Sequence, residues 1–137
     1  MSEANKQLIR RWYEVVWNQQ SETGIDEMLA PDCRAHGLSG GDAPLIGTEG
    51  FKAFHRKFCN AFPDLKISVE DVVAEGDKVA ARWKATMTHS GDSLGFPASG
   101  KKTTMDGSTL VIIRNGKIAE GWNHMDMGGL FAQLRGN

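Results

Sequence analysis

Chemistry in this chain concentrates near its end, in Lys117-Ile118-Ala119-Glu120-Gly121-Trp122-Asn123-His124-Met125-Asp126. The stretch follows a hairpin signal, Asn115-Gly116, and reads as a last strand. Side chains alternate along a strand, so Trp122, His124 and Asp126 share a face. An indole, an imidazole and a carboxylate would then stand together where the strand ends. The apolar segment from Met127 to Leu134 can fold back over them. Asp126 has two readings: it caps the short helix that follows, or it faces an apolar pocket and carries a proton.

The other histidines are His36, His55 and His89. His36 leads into a glycine-rich loop, where it can hydrogen-bond a substrate carbonyl or serve as a loop-edge residue. His55 reads as a surface or rim residue of a helix, and His89 as a residue ordering a loop. No His-x-x-x-His pair occurs, and no metal site is expected. Trp83, Trp122, Phe54, Phe58 and Met87, with Trp12, are core or pocket wall.

These residues need a frame. Residues 4 to about 20 have helical spacing, with Leu8, Trp12, Val15 and Val16 on one face. A short second helix covers Ile25 to Leu29, and a third covers about Thr48 to Phe62, with Phe51, Phe54, Phe58 and Ala61 inward. Thr48 suits its N-cap and Pro63-Asp64 its end. Between them, residues 37–44 read as a flexible loop. From Leu65 the period becomes two. Strands are expected over Leu65 to Ala74, Lys78 to His89 and Lys102 to Arg114, followed by the last strand. Helices first and strands afterwards predict an α+β fold: a curved antiparallel sheet with three N-terminal helices packed on one face, forming a cone-shaped pocket. The outer sheet face, with Arg82, Lys84, Thr86 and Thr88, is either solvated or paired with a second copy.

Bulk properties restrict the partners. The 137 residues carry 16 basic and 17 acidic side chains, a formal net charge of -1. That gives no electrostatic case for nucleic acid or an anionic membrane. The polar start, the lack of an apolar run of membrane length and two cysteines outside any Cys-x-x-Cys pair predict a cytoplasmic protein with free thiols.

Four segments carry a resemblance. Residues 61–65 (AFPDL), 72–83 (VVAEGDKVAARW), 88–101 (THSGDSLGFPASGK) and 116–134, from Gly116-Lys117-Ile118 through Trp122 and Asp126 to Gln133-Leu134, resemble the SnoaL-like polyketide cyclases, or ester cyclases. These belong to the group of cone-shaped folds named after nuclear transport factor two. The resemblance covers nearly the whole chain as one domain, residues 1–137. It implies ring closure of a polyketide ester by intramolecular aldol condensation, with no metal and no cofactor. An Asp near the end of the last long strand is general acid/base in that family, and Asp126 matches it. Burial in an apolar pocket would raise its pKa. The chain departs from the family where a histidine is typical of the preceding strand: Asp106 and Ser108 stand there, beside Thr104. His124 can supply the imidazole instead. In the related steroid isomerases, a tyrosine on the first helix donates to an oxyanion, which Tyr13 would match.

The expectation is a cyclase or isomerase acting on a small apolar carbonyl-containing ligand. Asp126, His124 and Asp106 would be its chemical groups. His36, Trp83, Trp122, Phe54, Phe58, Tyr13 and Met87 would contact the ligand. The protein would be a homodimer through the outer sheet face. A non-catalytic binding protein of the same fold, and a dimerising accessory domain, are the alternatives.

Overall fold

The computed structural model describes residues 2–38, 43–94 and 97–135. The expected loop at 37–44 therefore lies partly outside the described residues, as do residues 95 and 96 of the loop before the third long strand.

The first helix, α1, spans Ser2–Arg11 and runs on as a π-helical stretch over Trp12–Asn18. Glu3 in the first turn and Arg10 and Arg11 in the last match the helix dipole. The π-stretch is wider than an α-helix, and Trp12, Tyr13, Val16 and Trp17 are all buried along it. Asn18 ends the rod by pairing with a strand edge: its Oδ1 accepts from the Ile67 N–H at 2.6 Å and its Nδ2 donates to the Ile67 carbonyl at 3.0 Å. Helix α2, Glu22–Met28, is capped by Ser21, whose Oγ accepts from the Gly24 N–H at 3.1 Å. Helix α3 spans Gly47–Ala61. It starts at Gly47, with φ of +76°, and no side chain caps it, so the cap expected at Thr48 is not made.

Six strands form one sheet: β1 (Leu29–His36), β2 (Leu45–Ile46), β3 (Lys66–Glu75), β4 (Lys78–Thr88), β5 (Lys102–Arg114) and β6 (Lys117–Met125). Their order is β2-β1-β6-β5-β4-β3. Strands β3 to β6 are the expected antiparallel meander. Asn115 and Gly116, with φ of 54° and 75°, turn β5 into β6. The expectation of a wholly antiparallel sheet is corrected at the other edge. There β1 runs parallel to β6 and carries β2 antiparallel on its far side, so the sheet is mixed. A fourth helix, α4 (Met127–Arg135), follows β6.

The class is α+β, as the sequence predicts. The core lies between the helices and the inner sheet face. That face presents Cys33 and Ala35 on β1, then Val79, Ala81, Trp83, Ala85 and Met87 on β4. It continues with Met105, Thr109, Val111 and Ile113 on β5. No described helix is long and apolar enough to cross a membrane.

Candidate active site

The inner face and the helices enclose a cleft of about 720 Å³, counted out to its open mouth. Its walls are aromatic: Trp12 and Trp17 from the π-stretch, Phe51, Phe54 and Phe58 from α3, and Trp83 from β4. Trp17 meets Phe51, Phe54 and Phe58 edge-on at centroid distances of 6.0, 6.2 and 6.0 Å. The aromatic stripe of α3 thus locks onto the first helix and leaves one side of its rings to the cleft.

Arg34 of β1 and one cluster of neutral polar side chains interrupt this wall. Thr109 on β5 and Asn123 on β6 are cross-strand partners, and the Thr109 hydroxyl donates to Asn123 Oδ1 at 3.1 Å. The Tyr13 hydroxyl donates to Thr109 Oγ1 at 2.8 Å, and the Trp83 indole N–H approaches the same oxygen at 3.4 Å. Asn123 Nδ2 donates to the His36 carbonyl at 3.0 Å. Gly37 makes that approach possible: its φ is +85°, and a Cβ there would stand 2.1 Å from the Asn123 carbonyl oxygen. Burial pushes the Tyr13 phenol up to about 12, against the opposing effect of hydrogen bonds to Thr109 and Trp83. The phenol is therefore neutral at any working pH. Cys33, also in the wall, has its thiol pushed up by burial.

A single extra residue decides which side chains of β6 reach the cleft. Ile118 points inward and pairs with Ile113, whereas Glu120 pairs with Ile112, so Ala119 is a bulge. Strict alternation from Ile118 would turn Glu120, Trp122 and His124 inward. The bulge reverses the phase, and Gly121, Asn123 and Met125 line the cleft instead.

This reversal corrects several sequence expectations. Trp122 faces outward and stacks on His36, centroids 5.2 Å apart and planes 9° from parallel. His36 Nε2 lies 2.6 Å from Glu120 Oε2. Neither His36 nor Trp122 lines the cleft. His124 is exposed on the outer face, and Asp106, on the outward phase of β5, is exposed as well. Asp126 lies beyond the strand and is exposed. Its Oδ1 accepts from the Gly129 N–H at 2.9 Å, so it caps α4. Met87 is buried on the inner face but packs in the core, away from the cleft wall. Tyr13, Phe54, Phe58 and Trp83 do line the cleft.

Sequence reasoning passed over Thr109 and Asn123. The signal for them was present as a Thr directly before Leu110-Val111-Ile112-Ile113 and an Asn directly after Trp122, but only the bulge turns Asn123 inward. His55, read as a rim residue, is buried: its Nε2 donates to the Val16 carbonyl at 2.7 Å, and its ring lies 4.9 Å from Trp17. Among the described residues, no carboxylate or imidazole lines the cleft, and no group of His, Cys, Asp or Glu could hold a metal ion.

The family model of SnoaL-like polyketide cyclases matches residues 7–134. The chain belongs to that family. Solved structures agree over nearly its full length. A SnoaL-like polyketide cyclase, provisionally assigned, from Jannaschia sp. CCS1 shares 25% identity, covers 99% of this chain and 94% of its own, and superposes with a TM-score of 0.90. IdmH from Streptomyces antibioticus, provisionally assigned as a polyketide cyclase, shares 31% identity over 95% of this chain and 97% of its own, with a TM-score of 0.82. AclR from Streptomyces galilaeus, provisionally assigned as a hydroxylase, shares 25% identity over 98% of this chain and 82% of its own, with a TM-score of 0.86. No curated protein matched. The SnoaL-like family thus frames the site, and this member presents a hydroxyl–amide cluster to its cleft.

Proposed function

We propose that this SnoaL-like protein is a cyclase or isomerase for a small, apolar, carbonyl-containing compound. The observation that carries the reading is the aromatic cleft with one polar cluster, Tyr13–Thr109–Asn123, in a chain of this family. Such a cleft strips water from a flat ligand and fixes one oxygenated edge of it. Ring closure then needs the carbon of an enolised carbonyl beside a second carbonyl of the same molecule. As the carbon–carbon bond forms, the enol oxygen releases its proton and the attacked oxygen takes one up. Both exchanges can occur with water at the open mouth. The cleft's share of catalysis is orientation of the two carbonyls, which accelerates intramolecular steps, and polarisation of the bound carbonyl by the second hydrogen of Asn123 Nδ2, which favours its enol.

Hydrogen exchange at carbon tests the reading without the natural substrate. The probe is 2-tetralone in D2O, followed by proton NMR. Faster loss of its α-hydrogens with the folded protein, suppressed by excess 2-naphthol, is the expected result. A second reading is favoured by the lack of a carboxylate or imidazole among the described cleft residues: the protein binds such ligands without turning them over. Saturable binding of 2-tetralone with no acceleration would select it. Absence of binding would refute both.

We further propose that two copies pair through the outer sheet face. Val73, Ala80, Leu110 and Trp122 are cross-strand neighbours in one row there, with Val73 65% and Leu110 39% exposed. Sedimentation velocity should give a dimer that Leu110→Lys converts to monomer. A monomeric wild type would end this idea.

A further inference from the structure

The hydrogen bonds of the polar cluster run in one direction. Asn123 Nδ2 faces a backbone carbonyl, that of His36, at 3.0 Å. A carbonyl only accepts, so the amide orientation is fixed and Oδ1 is the atom that faces Thr109. An amide oxygen also only accepts. The Thr109 hydrogen is therefore committed to Asn123 Oδ1, 3.1 Å away. Tyr13 Oη and Thr109 Oγ1 stand 2.8 Å apart and must share a hydrogen. That of Thr109 is spent, so Tyr13 supplies it. The Trp83 N–H converges on the same Thr109 oxygen and also reaches the Tyr13 oxygen, which keeps a second lone pair for a further donor.

Tyr13 is left with an oxygen that accepts and with no hydrogen to offer. Turning its O–H toward the cleft would bring two bare oxygens face to face at 2.8 Å. In a buried, aromatic setting that arrangement is costly, because neither oxygen finds water.

We propose that the Tyr13 oxygen is a fixed hydrogen-bond acceptor for the ligand, so that the cleft selects compounds presenting a hydroxyl there, phenols or stable enols, over their ethers. The role is the reverse of the donor role expected for a tyrosine on this helix. The second hydrogen of Asn123 Nδ2 is the cluster's one remaining donor, suited to a carbonyl on the same ligand edge. An enolised 1,3-dicarbonyl has both groups, a hydroxyl and a carbonyl side by side. The proposal rests on the cleft being the ligand site, as argued above.

Isothermal titration with 2-naphthol and 2-methoxynaphthalene tests it on the intact chain. In the second, a methyl group replaces the hydroxyl hydrogen that serves as donor in the first. The wild type should bind the naphthol tighter by about five- to tenfold, the worth of one hydrogen bond. Tyr13→Phe should bring that ratio close to one. Thr109→Val gives a gain to look for: it releases the Tyr13 hydrogen, which can then turn into the cleft. The ketone 2-acetylnaphthalene should bind this variant better, relative to 2-naphthol, than it binds the wild type. A wild-type ratio near one or below, or a naphthol preference that survives Tyr13→Phe, would overturn the assignment while leaving the cleft a ligand site. Failure of all three compounds to bind would overturn the assignment together with the reading of the cleft beneath it.

Discussion

Thr109 and Asn123 face each other across β5 and β6, and the threonine hydroxyl donates to the amide oxygen at 3.1 Å. Both side chains are neutral; Thr109 is inward by the regular alternation of β5, and Asn123 because of the bulge at Ala119. This part of the cleft is thereby polar without carrying a charge.

Asn123→Asp probes that neutrality. The new carboxylate would set an acceptor against the His36 carbonyl, where Nδ2 now donates at 3.0 Å. Protonation relieves the clash, so the folded-state pKa should rise above the unfolded value of about 4. A raised carboxyl pKa makes the variant's stability fall as pH climbs through the interval between the two values. At pH 7 the variant should be less stable than wild type by about 1–3 kcal/mol, the cost of an unsatisfied buried group. The deficit should shrink toward pH 4. Urea unfolding at both pH values measures it, and a deficit independent of pH would contradict the argument.

Asp126 separates capping from chemistry. Its Oδ1 accepts from the Gly129 N–H at the start of α4. Asp126→Ala should cost about 1 kcal/mol, typical of a lost N-cap, whereas Asp126→Ser should recover most of it. Affinity of the cleft for an apolar aromatic should not change in either variant. Unchanged stability in Asp126→Ala, together with weakened ligand binding, would return Asp126 to the cleft.

Gly107 has no room for a side chain. It lies opposite Trp83 in the sheet, and a Cβ there would stand 2.3 Å from Trp83 Cζ2 and 2.6 Å from Cη2. The indole packs against the bare backbone there, and its N–H approaches Thr109 Oγ1 at 3.4 Å. Gly107→Ala should therefore destabilise the protein by about 1–3 kcal/mol, the usual penalty of overpacking. It should also change the near-ultraviolet circular dichroism. Trp83→Phe added to Gly107→Ala should restore part of the loss, since the smaller ring can withdraw. Additive effects of the two substitutions would show that the clash does not occur.

Local signals carried most of the fold into view. The stripe Phe51, Phe54, Phe58 announces α3, and Asn115-Gly116 announces the β5–β6 hairpin. The alternation from Val79 to Met87 announces the inner face of β4. The parallel pairing of β1 with β6 was not legible, because it joins residues about ninety positions apart through side chains with no pairing code. The site was half legible. Tyr13, Phe54, Phe58 and Trp83 lie on regular elements, where periodicity gives the facing. Asn123 lies four residues after a bulge, and one inserted residue exchanges the faces of everything that follows. The polar residues that seemed to share a chemical face, Trp122 and His124, share the outer one.

His55 gives the fold a predictable response to acid. The imidazole is 2% exposed, donates to the Val16 carbonyl at the end of the π-stretch and lies against Trp17. Burial holds its pKa below the ordinary histidine value, with the neighbouring Arg56 acting in the same direction and the Val16 carbonyl and Glu22 against it. The unfolded chain protonates near pH 6.5, while the folded chain resists until lower pH. Stability attributable to His55 is thus complete above about pH 6.5 and declines as pH falls from there toward the folded-state pKa. The hydrogen-bonded carboxylates Glu14, Glu22 and Asp64 have depressed values, so their contributions fade only below about pH 4. The His55 window thus opens at higher pH than that of the carboxylates. Urea midpoints should therefore drop between pH 7 and pH 5 in the wild type. His55→Gln should be less stable at pH 7 but should show a shallower drop over the same interval. An equal slope in both proteins would place the acid sensitivity elsewhere.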